Sequence, residues 1–233
     1  TPTMSATINK IFVLSLEESA DRRNYIFDQL DKLDLSAINC GYEWFPGKRP
    51  TEEEKAQNAN FFSTSSAKTY RDGELGCLLS HIAIMRLALE RNYDNVMILE
   101  DDIVVLDPAF ATVCNNHMKK MVELGENFDV LYLGASHKRP HVGKITDHLY
   151  RVGAAHGTFG YIVSKKFMQV LVEPYAYKYP IDKHWNHVRP STNKICMVPH
   201  VVNIRNCVSD VTGEYTTYSK HILNSQYRFV PKK

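Results

Sequence analysis

The stretch Asn95-Val96-Met97-Ile98-Leu99-Glu100-Asp101-Asp102 constrains this chain more than any other. Four consecutive apolar residues run directly into three carboxylates. A short continuous apolar run reads as a buried strand, although a buried helix segment shares the pattern. Burying unpaired charge is very costly, so the three acids are expected to emerge from the core at the strand's carboxyl end. In open α/β sheets ligands bind at that end. Clustered hard oxygens there suit Mg²⁺ or Mn²⁺ bridging a phosphorylated substrate. A solvated acidic turn is the plainer reading of the same tripeptide.

The flanking sequence supports an α/β protein. Ile11 to Leu16 reads as a first strand, with Ser19 as helix N-cap and Tyr25, Ile26, Leu30 and Leu33 at helical spacing behind it. A strand followed directly by a helix is half of a βαβ unit. Arg22 and Arg23 lie in the first turn of that helix, where cations oppose the dipole. They are either a surface pair or a pyrophosphate partner. Ala37 to Phe45 reads as a second strand. The polar stretch Thr51 to Asp72 reads as mobile or as a functional lid. Gly73-Glu74 opens a strong helix, with Leu75, Leu78, Leu79, Ile82, Met85 and Leu89 on one face and Ser80 and His81 interrupting it.

Beyond the acids, Ile103 to Leu106 is a second apolar run and Asp107-Pro108 starts another helix. Phe128 to Gly134 is a strand and Lys138 to His148 a basic loop. Leu149–Val152 and Gly157–Val163 are expected to pair. Ser164 caps a short helix, Pro174 to Pro180 is a Tyr-rich connector, and Lys194 to Val198 is a last strand. The segment from Val211 shows no periodicity.

The net charge of +2 gives no sign of a nucleic-acid partner or an anionic membrane. Five scattered cysteines, without zinc spacing or C-x-x-C, are expected to be free thiols. No apolar run approaches the ~20 residues of a membrane span, and the N-terminus lacks the apolar core of a signal peptide. A cytoplasmic location is therefore expected, a domain of a longer secretory-pathway protein being the alternative.

Taken together, the blocks resemble glycosyltransferase family 25, which includes lipooligosaccharide β-galactosyltransferases and collagen galactosyltransferase domains. The blocks are Leu16 with Asp21-Arg22-Arg23; Gly73-Glu74-Leu75-Gly76-Cys77-Leu78-Leu79-Ser80-His81; Leu99-Glu100-Asp101-Asp102; Gly157 to Ser164; Pro180-Ile181-Asp182; and Ser209-Asp210. The resemblance covers about residues 8 to 211. It implies a GT-A-like nucleotide-diphospho-sugar transferase fold, α/β with a mixed central sheet flanked by helices. It also implies an inverting reaction from a UDP-sugar, commonly UDP-galactose, and a divalent metal, usually Mn²⁺. The expected organisation is one domain over 1–233. Within it, 8–107 form the donor half, 108–211 the acceptor-side half and 212–233 a tail.

The chemistry of such a transfer assigns expected roles. A nucleotide sugar departs through an oxocarbenium-like transition state, and the leaving diphosphate gathers charge that a cation stabilises. Asp102 is the expected direct ligand of Mn²⁺ or Mg²⁺. Glu100 or Asp101 would touch the ribose or a metal-bound water, Glu100 being the further candidate ligand, and His200 would supply a late nitrogen. Deprotonating the acceptor hydroxyl needs a base. Asp182 is the first candidate and Glu74 the alternative, although each has a plain reading as a helix-terminal acid. Ser15, Leu16, Arg22 and Arg23 would lie near uracil and diphosphate, and Ser80 and His81 below the donor. Tyr161 would pack on the sugar unless it is a core tyrosine. Ser209 and Asp210 would close over the diphosphate or the metal. The acceptor would be a glycan or a hydroxylysine-type hydroxyl. A Mg²⁺-dependent nucleotidyltransferase is the competing enzyme, but the turn after the first strand has no glycine to cradle phosphate. A non-catalytic nucleotide- or carbohydrate-binding relic is the competing non-enzyme.

Overall fold

The computed structural model describes residues 3–63, 71–140 and 142–226. In chain order the elements are β1 (Lys10–Ser15), α1 (Ala20–Asp31), β2 (Tyr42–Pro46), α2 (Glu52–Gln57), α3 (Ala59–Ser63), α4 (Arg71–Glu90), β3 (Asn95–Glu100), β4 (Ile103–Val105), α5 (Phe110–Glu123), β5 (Val130–Tyr132), β6 (Ser136–His137), β7 (Gly143–Thr146), β8 (Leu149–Arg151), β9 (Ala155–His156), β10 (Gly160–Ser164), α6 (Lys165–Leu171), α7 (Ile181–Val188), β11 (Lys194–Met197), β12 (Val202–Ile204) and α8 (Ser219–Ser225).

Eight strands form one mixed sheet in the order β2-β1-β3-β10-β5-β11-β8-β7. This is the expected α/β class, with helices on both faces. β1 is parallel to β2 and to β3, and β10 runs antiparallel between β3 and β5. The apolar runs of β1 and β3 are buried on both sides, which is why they lack polar alternation. Phe12, Leu14, Val96 and Ile98 face a core shared with α4, α6 and α7. Ile11, Val13, Met97 and Leu99 face a second core built on α1 and α5. Register pairs Leu14 with Glu100, so the ends of β1 and β3 deliver Ser15 and the acids to one edge.

Several local expectations change. The second strand is confined to 42–46, because 36–39 form a turn with Asn39 at φ 48°. Within 51–72, Thr51 and Glu54 make a reciprocal capping box that starts α2. The lid expectation also falls on 64–70, which lie outside the described residues. α4 begins two residues before Gly73. Ser19 holds the N-cap position without a capping bond, its hydroxyl donating instead to Asp210 (3.0 Å). The basic loop contains β7, which pairs with β8. The expected pairing of 149–152 with 157–163 does not occur: β8 pairs with β11, and β10 inserts between β3 and β5. The C-terminal segment carries α8, and α8 packs on β6 and β12. Ser164 caps α6 as expected, accepting from the Phe167 amide.

Candidate active site

The acids do leave the end of β3, but Asp101 and Asp102 stay buried, and only Glu100 is partly exposed. Asp101 is 3% exposed and Asp102 7%. The sequence expectation of an acidic tip outside the core is corrected by a counterion. Arg22 projects from the first turn of α1 and donates to Asp101. It also approaches Asp102 (3.7 Å) and pairs with Asp210 (2.9 Å), while donating to the Val208 carbonyl (3.0 Å). One guanidinium thus ties the β3 tip to the 208–210 segment. The three carboxylates hold its proton more tightly against the opposing effect of burial. Burial, and then the Glu100 charge, push Asp102 up to about 7. Burial also raises Asp101, against the pull of Arg22.

Glu100 is held differently. Its Oε1 accepts from Thr158 (2.9 Å), lies 3.1 Å from His81 Nε2 and is approached by the Cys77 thiol (3.9 Å). Burial would raise this carboxyl, but the bonds from His81 and Thr158 outweigh it and keep it below the usual range. In a neutral imidazole, donation from Nε2–H to Glu100 leaves Nδ1 to accept from the Tyr161 hydroxyl at 2.6 Å. Tyr161 is fully buried, stacked on His81 and edge-on to Trp185. The expectation that Tyr161 packs on a sugar is therefore corrected. Tyr161 and His81 support Glu100 from inside the core.

Two cavities, each of about 380 Å³, meet at Glu100. The first is lined by Ser15, Leu16, Arg22, Ser80, the three acids, Ser209 and Asp210. Lys48, Arg49 and Lys55 add positive charge to its wall. The 47–50 segment fits closely against α4. A Cβ on Gly76 would stand 2.4 Å from the Lys48 carbonyl oxygen. Ser80 fastens the same contact, donating to the Gly76 carbonyl (2.7 Å) and accepting from the Lys48 amide (2.8 Å). Gly73 likewise admits the Val211 backbone, 2.6 Å from where its Cβ would be.

The second cavity contains Glu74, His156, Thr158, Phe159, Asp182, Tyr218 and His221, and shares Cys77, Glu100, Ile204 and Val211 with the first. Asp182 lies in the first turn of α7, and Pro180 holds the cap position. Its Oδ2 is 3.1 Å from His156 Nδ1 and accepts from the Gly157 amide (3.4 Å). Burial would raise this carboxyl, but His156 and the Gly157 amide pull it below its ordinary value.

Besides His81 and Tyr161 in the core, Arg23 and His200 also lie outside both cavities. Arg23 is absent from both linings: it donates to the Leu16 carbonyl (2.8 Å) and stacks on Trp44 (4.0 Å), bracing the β1–α1 loop. His200 does not join the acids. It lines neither cavity, and its Nε2 sits 2.9 Å from His137 Nε2. Sequence reasoning missed the Thr158 and Cys77 contacts to Glu100, the His156 partner of Asp182, and the Lys48-Arg49 pair. Only the last left a local signal, two cations just past Pro46-Gly47 at the end of a strand. The residues also fit a divalent cation. Among the described residues Asp101 Oδ2 and Asp102 Oδ1 are buried without a hydrogen-bond partner, and such oxygens suit Mg²⁺ or Mn²⁺.

The family profile described as glycosyltransferase family 25 (LPS biosynthesis protein) matches residues 8–185. The chain is 32% identical to a Haemophilus influenzae protein described as a glycosyltransferase, over 73% of this chain and 59% of that protein. It is 24% identical to human procollagen galactosyltransferase 2, over 75% of this chain and 29% of that protein. It thus spans less than two thirds of either relative. Among solved structures it is similar to a glycosyltransferase involved in the glycosylation of the major capsid of PBCV-1, at 12% identity and a TM-score of 0.47 over 94% of this chain and 90% of that one. β2, β1 and β3 run parallel with the acids at the tip of β3, which antiparallel β10 flanks, so the sheet is the mixed α/β sheet expected.

Proposed function

Because the chain belongs to glycosyltransferase family 25, we propose that it is a metal-dependent, inverting transferase moving a sugar, galactose first, from UDP to an acceptor hydroxyl. One observation carries this reading. A cavity holding the acids and cations meets, at Glu100 and Cys77, a second cavity holding two candidate bases. Inversion needs the acceptor oxygen to arrive on the face opposite the leaving group, and adjoining cavities supply the two faces.

The first cavity takes the donor. Ser15 and Leu16 border the nucleotide, and Lys48 and Arg49 offset the diphosphate charge. Asp102 Oδ1 and Asp101 Oδ2 would hold Mn²⁺ or Mg²⁺, which when bound stabilises charge on the leaving group. Glu100, fixed through Oε1 by Thr158 and His81, orients the donor at the boundary. Ser209 and Asp210 close the cavity by way of Arg22. The second cavity takes the acceptor. Asp182, kept ionised by His156 and Gly157, accepts the acceptor's proton as its oxygen attacks, with Glu74 the alternative base. Phe159, Tyr218 and Ile222 offer apolar and aromatic surface to a glycan or to a hydroxylysine-containing peptide. Cytoplasmic residence is the proposed setting, since all five cysteines are free thiols. No helix among the described residues is long and apolar enough to cross a membrane.

The test is UDP release from UDP-galactose and UDP-glucose, with and without Mn²⁺, in wild type and Asp102→Ala. Slow donor hydrolysis needs no known acceptor. Release that requires Mn²⁺ and disappears in the variant is expected, and the faster donor identifies the sugar. No release, together with no rise in melting temperature from UDP or Mn²⁺, would overturn the proposal.

A further inference from the structure

His137, Cys196 and His200 take no part in either cavity lining, yet they converge behind the second cavity. His137 ends β6, Cys196 lies on β11, and His200 stands on the connection from β11 to β12. All three are buried, at 1%, 0% and 3% exposure. His137 Nε2 is 2.9 Å from His200 Nε2 and 3.7 Å from Cys196 Sγ, and one ligand atom from each residue lies within 4.8 Å of the others.

We propose that His137, Cys196 and His200 form a buried structural Zn²⁺ site, separate from the acidic cluster. Tetrahedral zinc, with bonds of about 2.0–2.1 Å to nitrogen and about 2.3 Å to sulfur, sets ligand nitrogens about 3.3 Å apart and nitrogen from sulfur about 3.6 Å. The two separations from His137 Nε2, 2.9 Å to His200 and 3.7 Å to Cys196, are within a few tenths of an ångström of these values, and the third lies within 4.8 Å. Two imidazoles and a thiolate select a borderline metal, whereas the carboxylates of the first cavity suit Mn²⁺ or Mg²⁺. The fourth position takes water or a further protein ligand. Binding displaces the Cys196 thiol proton to solvent, and both imidazoles coordinate through Nε2 as neutral rings.

The ion would join segments that are distant in sequence. Ser136 and Lys138, on either side of His137, line the second cavity. The His137 amide donates to Ser225 Oγ (3.0 Å) and the His200 amide to Gln226 Oε1 (2.8 Å), so the end of α8 is latched over the cluster. His221 and Ile222 of α8 face the same cavity. Zinc would therefore stiffen the wall of the cavity from β6, from the β11–β12 connection and, through the latch, from α8.

The experiment strips the full-length chain with a chelator, removes the chelator by gel filtration and adds one equivalent of ZnCl₂ or CoCl₂. Metal content and the near-ultraviolet thiolate-to-cobalt absorption are measured on wild type, Cys196→Ser, His200→Gln and Asp102→Ala. One zinc per chain and a cobalt–thiolate band are expected in wild type and in Asp102→Ala. The band should vanish in Cys196→Ser, and zinc affinity should fall about 100-fold or more in His200→Gln. Folded wild type that retains no zinc and shows no band would overturn the site, leaving a hydrogen-bonded histidine pair. A band that survives Cys196→Ser would also overturn it, because another thiol would then carry the metal. If Cys196→Ser fails to fold, His200→Gln decides alone: wild-type zinc affinity there rejects the site. Failure here leaves the UDP-sugar proposal untouched, since that one is read from Asp102→Ala and UDP release.

Discussion

Arg22 shows what a single residue does that its sequence position conceals. The acids of the β3 tip were legible because an apolar run ends in three carboxylates, a pattern that fixes their place at a strand end. Their counterion comes from a helix 79 residues away in sequence, so no local pattern announces that they are paired and buried. Removing one partner of a buried charge cluster leaves the others uncompensated, which costs about 3–5 kcal/mol. Arg22→Met should therefore lower the melting temperature of the metal-free protein by several degrees. Mn²⁺ should raise it more in the variant than in wild type, because the cation replaces the missing positive charge among Asp101, Asp102 and Asp210. Differential scanning fluorimetry with and without Mn²⁺ checks both. An unchanged melting temperature would show that Arg22 is not the counterion. Tyr161 gives the converse lesson: a tyrosine beside glycines reads equally as a sugar contact or as core, and only the packing of Trp185 and His81 around it decides.

At the scale of elements, α4 and β3 were readable because helical periodicity and a doubly buried strand each leave a strong local signature. The partners of β8 and β10 were not. Short strands carry little register information, and their neighbours are chosen by tertiary packing. The glycines of α4 follow from packing too. Gly→Ala inside a helix ordinarily stabilises by about 1 kcal/mol. Gly76→Ala should instead destabilise by about 1–3 kcal/mol, since its Cβ would meet the Lys48 carbonyl at 2.4 Å. Displacing the 47–50 segment should also raise KM for the donor. Urea denaturation and donor titration read these effects, and a stabilised variant would refute the close approach. α7 carries a different signal. His184 is fully buried between Tyr175 and Tyr177, and neither ring nitrogen has a hydrogen-bond partner among the described residues. Burial, reinforced by the His187 charge, depresses it to about 4 from 6.5. The unfolded chain then binds the proton first. Stability should be complete above pH 6.5 and fall, by up to about 3 kcal/mol from this group, as pH drops toward 4. His184→Phe should flatten that part of the stability–pH curve by about one proton, leaving the share due to His200, which burial depresses to a similar value. A curve of unchanged slope would remove His184 as the cause.

At the scale of the whole molecule, the two cavities sit where the sheet changes character. β1, β2 and β3 run parallel and deliver Ser15 and the acids of the first cavity at their carboxyl ends, while antiparallel β10 begins there and brings Thr158 and Phe159 from the opposite direction. The first half of this arrangement was legible, because parallel strands and their acidic tip are written in contiguous sequence. The second was not, because β9, β10, α7 and the 208–218 segment meet only in the folded chain. On the proposed function, that division separates donor binding from proton transfer. Asp182 touches only the second cavity, and Asn in its place keeps an oxygen for the His156 and Gly157 bonds while losing basicity. Asp182→Asn should therefore leave the melting-temperature rises from Mn²⁺ and UDP at their wild-type values. Transfer to an acceptor should fall by about 10²–10⁴-fold. Glu74→Gln, in the lining of the same cavity, is the matched comparison. If Glu74→Gln abolishes transfer and Asp182→Asn does not, the base is Glu74, and Asp182 serves to anchor His156 and the start of α7. If both variants lose the UDP-induced rise, the cavities act as one binding unit, and the assignment of donor and acceptor to separate chambers fails.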